Sequence, residues 1–347
     1  LFAQADLIAT TPTLTAGARA AQTLSAGGKL TVQAPVGAKP GVFNSGLGAS
    51  INLEGASVTV TSNISLPSGL LTLHARTGDI VVGGRLSANG TEQAFYDVLR
   101  YTDAGQIRLQ SDLGSVVIDP TAVLSVAAAR AGGDAGTLAV STPAGAFVLH
   151  GKILGGSGPS GAGGQFSLDA SVLPDINQLL TTLRDNGFSE SQKFRIRKGD
   201  VSLDHDPLVV PNDDIVTRSF SLSADAGSIT VGRNIDVSGA TGGRILLSAA
   251  GSVTLLGGTT LDASAVDFDH AGKGGSISLE TRGLNGGVID LQAGSTIDLS
   301  VDTIGKAADP TAAALAAAAR GQYGGTLHLR APQTGDTNYV AINPLAG

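Results

Sequence analysis

The pattern Gly-x-apolar-x-apolar recurs nine times in this chain and constrains its fold more than any single residue does. Six copies are clear: Gly28-Lys29-Leu30-Thr31-Val32, Gly164-Gln165-Phe166-Ser167-Leu168, Gly243-Arg244-Ile245-Leu246-Leu247, Gly275-Ser276-Ile277-Ser278-Leu279, Gly287-Val288-Ile289-Asp290-Leu291 and Gly325-Thr326-Leu327-His328-Leu329. Looser copies begin at Gly84, Gly105 and Gly136. Each copy alternates with period two, as a strand with one buried face must. The glycine is expected to let the backbone turn sharply before the strand.

Between Leu24 and Asn89 the alternation predicts strands at 29–33, 50–53, 57–61, 70–74, 79–82 and 85–88. In the second half, Ile229-Thr230-Val231, Ile235-Asp236-Val237, Ile245-Leu246-Leu247, Val253-Thr254-Leu255 and Leu261-Asp262-Ala263 follow one another across short runs of Gly, Ser and Ala. Those gaps cannot hold the dozen or more residues of a helical crossover, but they suit strands that pair with their equivalents one turn above and below. The expected fold is all-β, a right-handed parallel β-helix spanning residues 1–347 as one segment. At about 20 residues per turn and about 4.8 Å of rise it would make roughly ten to fifteen turns.

Composition agrees with such a coil. Glycine supplies 49 of 347 residues, aromatics are 4%, and Cys, Met and Trp are absent. The core must therefore be layered from Val, Ile, Leu and Ala, and disulfides and thiolate metal sites are excluded. The net charge is −7, and the only basic stretch is short, Lys193 to Lys198. That balance argues against nucleic acid or an anionic membrane as a partner. The opening Leu-Phe-Ala-Gln-Ala-Asp has neither an initiating Met nor the pattern of a signal peptide, so an internal segment of a longer protein is expected. The apolar run at 312–319 is far below the roughly 20 residues a membrane helix needs.

Three stretches break the repeat. Residues 92–101 carry Phe95, Tyr96, Val98 and Leu99 and are expected to form a short helical or irregular excursion. In 173–206, Ile176, Leu179, Leu180 and Leu183 recur at helical spacing, with Pro174 able to occupy the first turn and Asn186-Gly187 to close the element. In 303–322, Asp309-Pro310-Thr311 opens an alanine run, a second side helix.

Polar groups give several weak candidates. Asp204, His205 and Asp206, followed by Asp213 and Asp214, could supply an acid, a base and a proton carrier for glycosidic cleavage. Tyr96 and Tyr101 could form a sugar platform if the fold brings them alongside. Lys193, Arg195, Arg197 and Lys198 could grip an acidic glycan, although such charges are more often simply solvated. Asp267-Phe268-Asp269-His270 repeats the ingredients of the first cluster. The phrases ending in Asp236, Asp262 and Asp298 could stack carboxylates for calcium or ice. Their unequal spacings of 26 and 36 residues, and the lack of a Gly-Gly-x-Gly-x-Asp repeat, favour ordinary solvated corners. The glycine-rich 155–164 lacks the Gly-Lys-Ser/Thr ending of a phosphate loop and reads as a turn. His74, His150 and His328 lie far apart in strand text. No motif calls for a metal or cofactor.

Two passages carry a family resemblance. Ile229-Thr230-Val231-Gly232-Arg233-Asn234-Ile235-Asp236-Val237-Ser238-Gly239 and Phe188-Ser189-Glu190-Ser191-Gln192-Lys193-Phe194-Arg195-Ile196-Arg197-Lys198-Gly199-Asp200, set among the Gly-Gly-x-Ile-x-Leu rungs, resemble the large filamentous-haemagglutinin-like exoproteins of Gram-negative bacteria. The resemblance covers nearly all of the chain. It implies an adhesive fibre, secreted or held at the cell surface, that is exported through an outer-membrane pore of the two-partner type. It implies as partners a host or bacterial surface receptor or glycan, and leaves bundling with like chains open. The Asn-Pro-Asn-type motifs of the family's secretion domain do not occur here, which places this stretch in the shaft. A phage or other extracellular fibre, and a β-helical polysaccharide-degrading enzyme, stay open as alternatives.

Overall fold

The computed structural model describes residues 1–38, 46–205, 213–265, 274–301, 324–333, 335 and 340–343. It is almost all-β, with mostly parallel sheets, and it divides into two compact units, Leu1–Ser191 and Gln192–Gly347.

In the first unit the chain visits three strand stacks in turn. The first face is built from Phe2–Ala3, Ala21–Ala26, Ser50–Gly55, Leu70–Ala75, Gln106–Ser111, Thr137–Leu149 and Gln165–Val172. The second runs from Leu7–Thr10 through Leu30–Gln33, Val58–Val60, Ile80–Val82 and Val116–Ile118 to Phe147–Leu149, the far end of that same long strand after it shifts register between Thr142 and Ala146. The third links Thr13–Leu14, Asn63–Ser65, Arg85–Ser87, Val123–Ser125 and Lys152–Leu154.

Register explains the core. Ile51, Leu71, Ile107, Leu138 and Phe166 pair in sequence, as do Val58, Ile80, Val116 and Phe147, and Ile64, Leu86, Leu124 and Ile153. All are at most 2% exposed. Each such side chain gains about 1.5–3 kcal/mol from burial, so the alternation seen in the sequence is also the main source of stability. Phe147, Phe166 and Phe188 close this unit as a ring stack with centroids 6.2 and 6.1 Å apart.

The second unit repeats the plan. Its first face holds Ser191–Ile196, Ser219–Ala224, Arg244–Ala249, Ser276–Thr281 and Thr326–Arg330. Its second holds Val201–Leu203, Ile229–Val231, Val253–Leu255, Ile289–Leu291 and Ile342–Asn343. Its third holds Ile215–Val216, Ile235–Asp236, Thr260–Asp262 and Thr296–Asp298.

The repeated glycines act differently from the expectation. Gly105, Gly136, Gly275 and Gly325, all opening first-face strands, are not among the residues with positive φ. What excludes a side chain is the neighbouring rung: a Cβ on Gly105 or Gly136 would lie 1.9 Å from the carbonyl oxygen of Gly69 or Gly105, and one on Gly275 2.4 Å from that of Gly243. The glycines form columns where adjacent passes of backbone touch. The motif also opens other faces, since Gly28 and Gly287 precede second-face strands and Gly84 a third-face strand.

Corner side chains tie each pass to the next. Asp200 Oδ1 accepts from Ser228 N (2.8 Å), Ser228 Oγ from Ser252 N (3.0 Å) and Ser252 Oγ from Val288 N (3.1 Å). Asp6, Asn63, Asp79 and Asn234 accept in the same way from Lys29, Arg85, Ser115 and Thr260. The residues joined are 22 to 36 apart, so a turn is longer than the expected 20 or so.

The excursions resolve unevenly. Residues 92–101 are neither helical nor irregular: Glu92–Phe95 and Val98–Tyr101 form an antiparallel hairpin. Its side chains do not alternate, all but that of Tyr101 being exposed; the two-residue turn at Tyr96-Asp97 lacks glycine, and Tyr96 takes φ +56° there. Helix α1, Ile176–Asp185, forms as expected and buries Ile176, Leu179, Leu180 and Leu183. Its cap is Asp175, whose carboxylate accepts from Gln178 N at 2.8 Å, so Pro174 precedes the cap instead of starting the first turn. Gly187 follows at φ +81°. The helix expected within 303–322 lies outside the described residues.

Candidate functional site

Strand Val201–Leu203 buries Val201 and Leu203 and turns Ser202 outward, where its hydroxyl donates to the Asp204 carboxylate. The described chain stops at His205 and resumes at Asp213, just before Ile215–Val216. His205 and Asp213 meet: Nδ1 lies 2.7 Å from Asp213 Oδ1, with the imidazole 58% exposed and the carboxylate 2%. Behind Asp213 stands Arg233, 1% exposed, whose Nε donates to the Asp213 carbonyl and lies 3.7 Å from Oδ2. A buried guanidinium thus holds a buried carboxylate, and that carboxylate orients a surface imidazole through Nδ1. The remaining ring nitrogen is the one able to exchange a proton.

The arrangement revises the cluster read from sequence. His205 and Asp213 are brought together; Asp204 is engaged by Ser202; Asp214 is half-buried beside Asp213; Asp206 lies outside the described residues. Asp267-Phe268-Asp269-His270 lies outside them too. Among the described residues no three of His, Asp and Glu group as a metal site. Arg233 was missed, although the signal was present: it shares inward parity with Val231 and Ile235 along one alternating run.

The basic residues stand partly committed. Lys193 and Arg195 point outward from Ser191–Ile196, and Arg195 Nε donates to Asp225 Oδ2 at 2.9 Å, one pass along. Arg197 is half-buried, while Lys198 is exposed. Tyr96 stands fully exposed at the hairpin tip, and Tyr101 packs at its base, where a Cβ on Gly132 would meet its ring at 2.5 Å. Both tyrosines belong to the first unit and the Asp–His pair to the second.

The Asp236, Asp262 and Asp298 carboxylates do stack in register. Each, however, accepts from the backbone N–H two residues on, at Ser238, Ser264 and Ser300 (2.8, 2.8 and 2.9 Å), so they close their own corners. The glycine-rich 155–164 is a turn: Cβ atoms on Gly158 and Gly161 would strike the backbone of Gly132 and Gly133. The three strand-text histidines stay separate. His74 Nε2 contacts Asp112 at 2.9 Å, His328 Nδ1 contacts Ser278 Oγ at 3.0 Å, and exposed His150 lies just past Leu149.

Asp112 shows a resolved electrostatic effect. The Gln110 side-chain amide, 2.9 Å away, and then His74 hold its carboxyl below the ordinary carboxylate value. A depressed folded value adds stability above the unfolded pKa, near 4, and loses it as pH falls through the lower folded value. Asp112→Asn should therefore be slightly less stable than the parent at pH 6, with the difference shrinking in urea melts as pH falls below the unfolded value near 4. A gap that stays constant over that range would contradict the assignment. The carboxylate is 42% exposed, so the effect is small.

No family model, curated protein or solved structure matches the chain.

Proposed function

We propose that this chain is a segment of the shaft of a bacterial adhesin fibre, secreted or held at the cell surface, and that it folds as a right-handed parallel β-helix. The observation that carries the reading is the register of inward apolar side chains kept from pass to pass along the first face of each unit. A stack of that kind makes a stiff support from small residues, each pass contacting only its neighbours. Its non-repeating growths, the hairpin at 92–101 and helix α1, supply surface of the kind that binding functions use. In this reading the parent protein leaves through an outer-membrane pore and meets a host or bacterial surface receptor or glycan, and like chains are free to bundle.

A second reading, a polysaccharide-degrading enzyme, draws on the imidazole of His205 oriented by buried Asp213. One experiment separates the two: a glycan array probed with the purified chain, beside turnover assays on acidic and neutral polysaccharides. Binding without chain cleavage is expected. Cleavage that disappears in His205→Ala, a substitution at an exposed side chain, would replace the shaft with an enzyme.

A further inference from the structure

Phe147–Leu149 is the last second-face strand of the first unit. It pairs with Val116–Ile118 on one side, and among the described residues of that unit no strand covers its other side. After Gln165–Val172 the chain enters Leu173, Pro174 and helix α1. The helix buries Ile176, Leu179, Leu180 and Leu183, and between its first turn and the strand end lies a cleft of about 280 Å³.

The walls of the cleft are of two kinds. Phe147, Leu149 and Leu179 form an apolar floor, while His150, Asp175 and Gln178 stand exposed at the rim. The uncovered strand edge adds backbone donors and acceptors. An apolar floor with a few convergent polar groups is the usual make-up of a small-molecule site.

The rim also restricts the charge of an occupant. One of the N–H groups that a helix start would offer an anion is already taken, since Asp175 Oδ1 accepts from Gln178 N at 2.8 Å, and the Asp175 carboxylate beside the others repels anions. What remains is a mixture: the imidazole offers a donor and an acceptor, the Gln178 amide offers both, and the carboxylate accepts. Such a set matches a ring with an apolar face and hydroxyls around its edge.

We propose that the cleft between Phe147–Leu149 and helix α1 binds a neutral pyranose unit, its apolar face on Leu149 and Leu179 and its hydroxyls on His150, Asp175 and Gln178. The choice of a saccharide rests on the adhesive reading, whereas the cleft and its neutrality rest on the geometry alone.

The test is NMR titration of the intact chain with the methyl pyranosides of glucose, galactose and mannose, with N-acetylglucosamine and with a sulfated monosaccharide. Saturable shifts of the His150 imidazole by at least one neutral sugar are expected, the resonance being identified by its loss in His150→Ala. Gln178→Ala should weaken that binding about tenfold, the effect of one lost hydrogen bond. Val148→Trp, a substitution at a half-exposed position in the cleft wall, should abolish it while leaving the thermal midpoint near that of the parent. No saturable shift with any neutral sugar, a preference for the sulfated sugar, or binding indifferent to Gln178→Ala and Val148→Trp would each overturn the proposal. Array binding that survives Val148→Trp removes the cleft and leaves the adhesive reading standing.

Discussion

Gly105→Ala is expected to destabilise the first unit by about 3 kcal/mol or more, although it adds only a methyl group. A Cβ there would sit 1.9 Å from the Gly69 carbonyl oxygen and 2.6 Å from the Gly69 nitrogen. Both are backbone atoms fixed in a parallel ladder, so no side chain can swing aside. Either the two passes separate, breaking hydrogen bonds between Leu70–Ala75 and Gln106–Ser111, or the new methyl is strained. Gly17→Ala is the control: nothing lies within 4 Å of its Cβ and its φ is ordinary, so its stability should stay within about 1 kcal/mol of the parent. Urea unfolding followed by far-UV circular dichroism compares the two, and equal midpoints would refute the steric account.

The second large effect is expected at Arg233. Its side chain and that of Asp213 are 1% and 2% exposed. Removing one member of such a pair takes a buried opposite charge away from the other, at a cost of about 3–5 kcal/mol. Arg233→Leu should lose that amount. Asp213→Leu should behave similarly, because it removes the buried carboxylate that faces the guanidinium and that also orients His205. The double substitution should be markedly less damaging than the sum of the singles, since two apolar side chains of suitable volume replace two charges. Hydrogen exchange should place the loss near Ile215 and Ile235, which pair across this corner. Strictly additive losses would show that the two side chains do not act together.

The strands were readable because inward positions alternate and repeat. Ile229–Val231 and Val253–Leu255 were read to the residue, and Leu70–Ala75 and Ile80–Val82 within one residue at either end. Helix α1 was readable from Ile176, Leu179, Leu180 and Leu183 because the period changes from two to 3.6 and back. The phase of the coil was not readable. Gly28, Gly84 and Gly105 begin strands on three different faces, and nothing local distinguishes one face from another. The reason for the glycines was also hidden, since close approach between Gly69 and Gly105 depends on a partner 36 residues away. The hairpin at 92–101 was misread because Tyr96 occupies a turn position where glycine is the usual marker.

The candidate site was half legible. His205 and Asp213 stood out as a polar cluster in an aliphatic text, but their pairing joins the end of a second-face strand to the start of a third-face one, which no spacing rule supplies. Arg233 was passed over because arginine at an inward position is rare enough that alternation was not trusted to bury it. The cleft beside His150 had no sequence signal, because it arises where, among the described residues of the first unit, Phe147–Leu149 has a strand partner on one side only.

The corner braces carry a consequence for how such a gene can change. Asn63 reaches Arg85 across 22 residues, whereas Ser252 reaches Val288 across 36, yet the donor and acceptor atoms are of the same kind. The brace fixes where a pass begins and says nothing about how much chain intervenes. Insertions and deletions in the connecting loops can therefore accumulate without disturbing the columns, so descendants of one ancestor would come to differ more in length than in architecture.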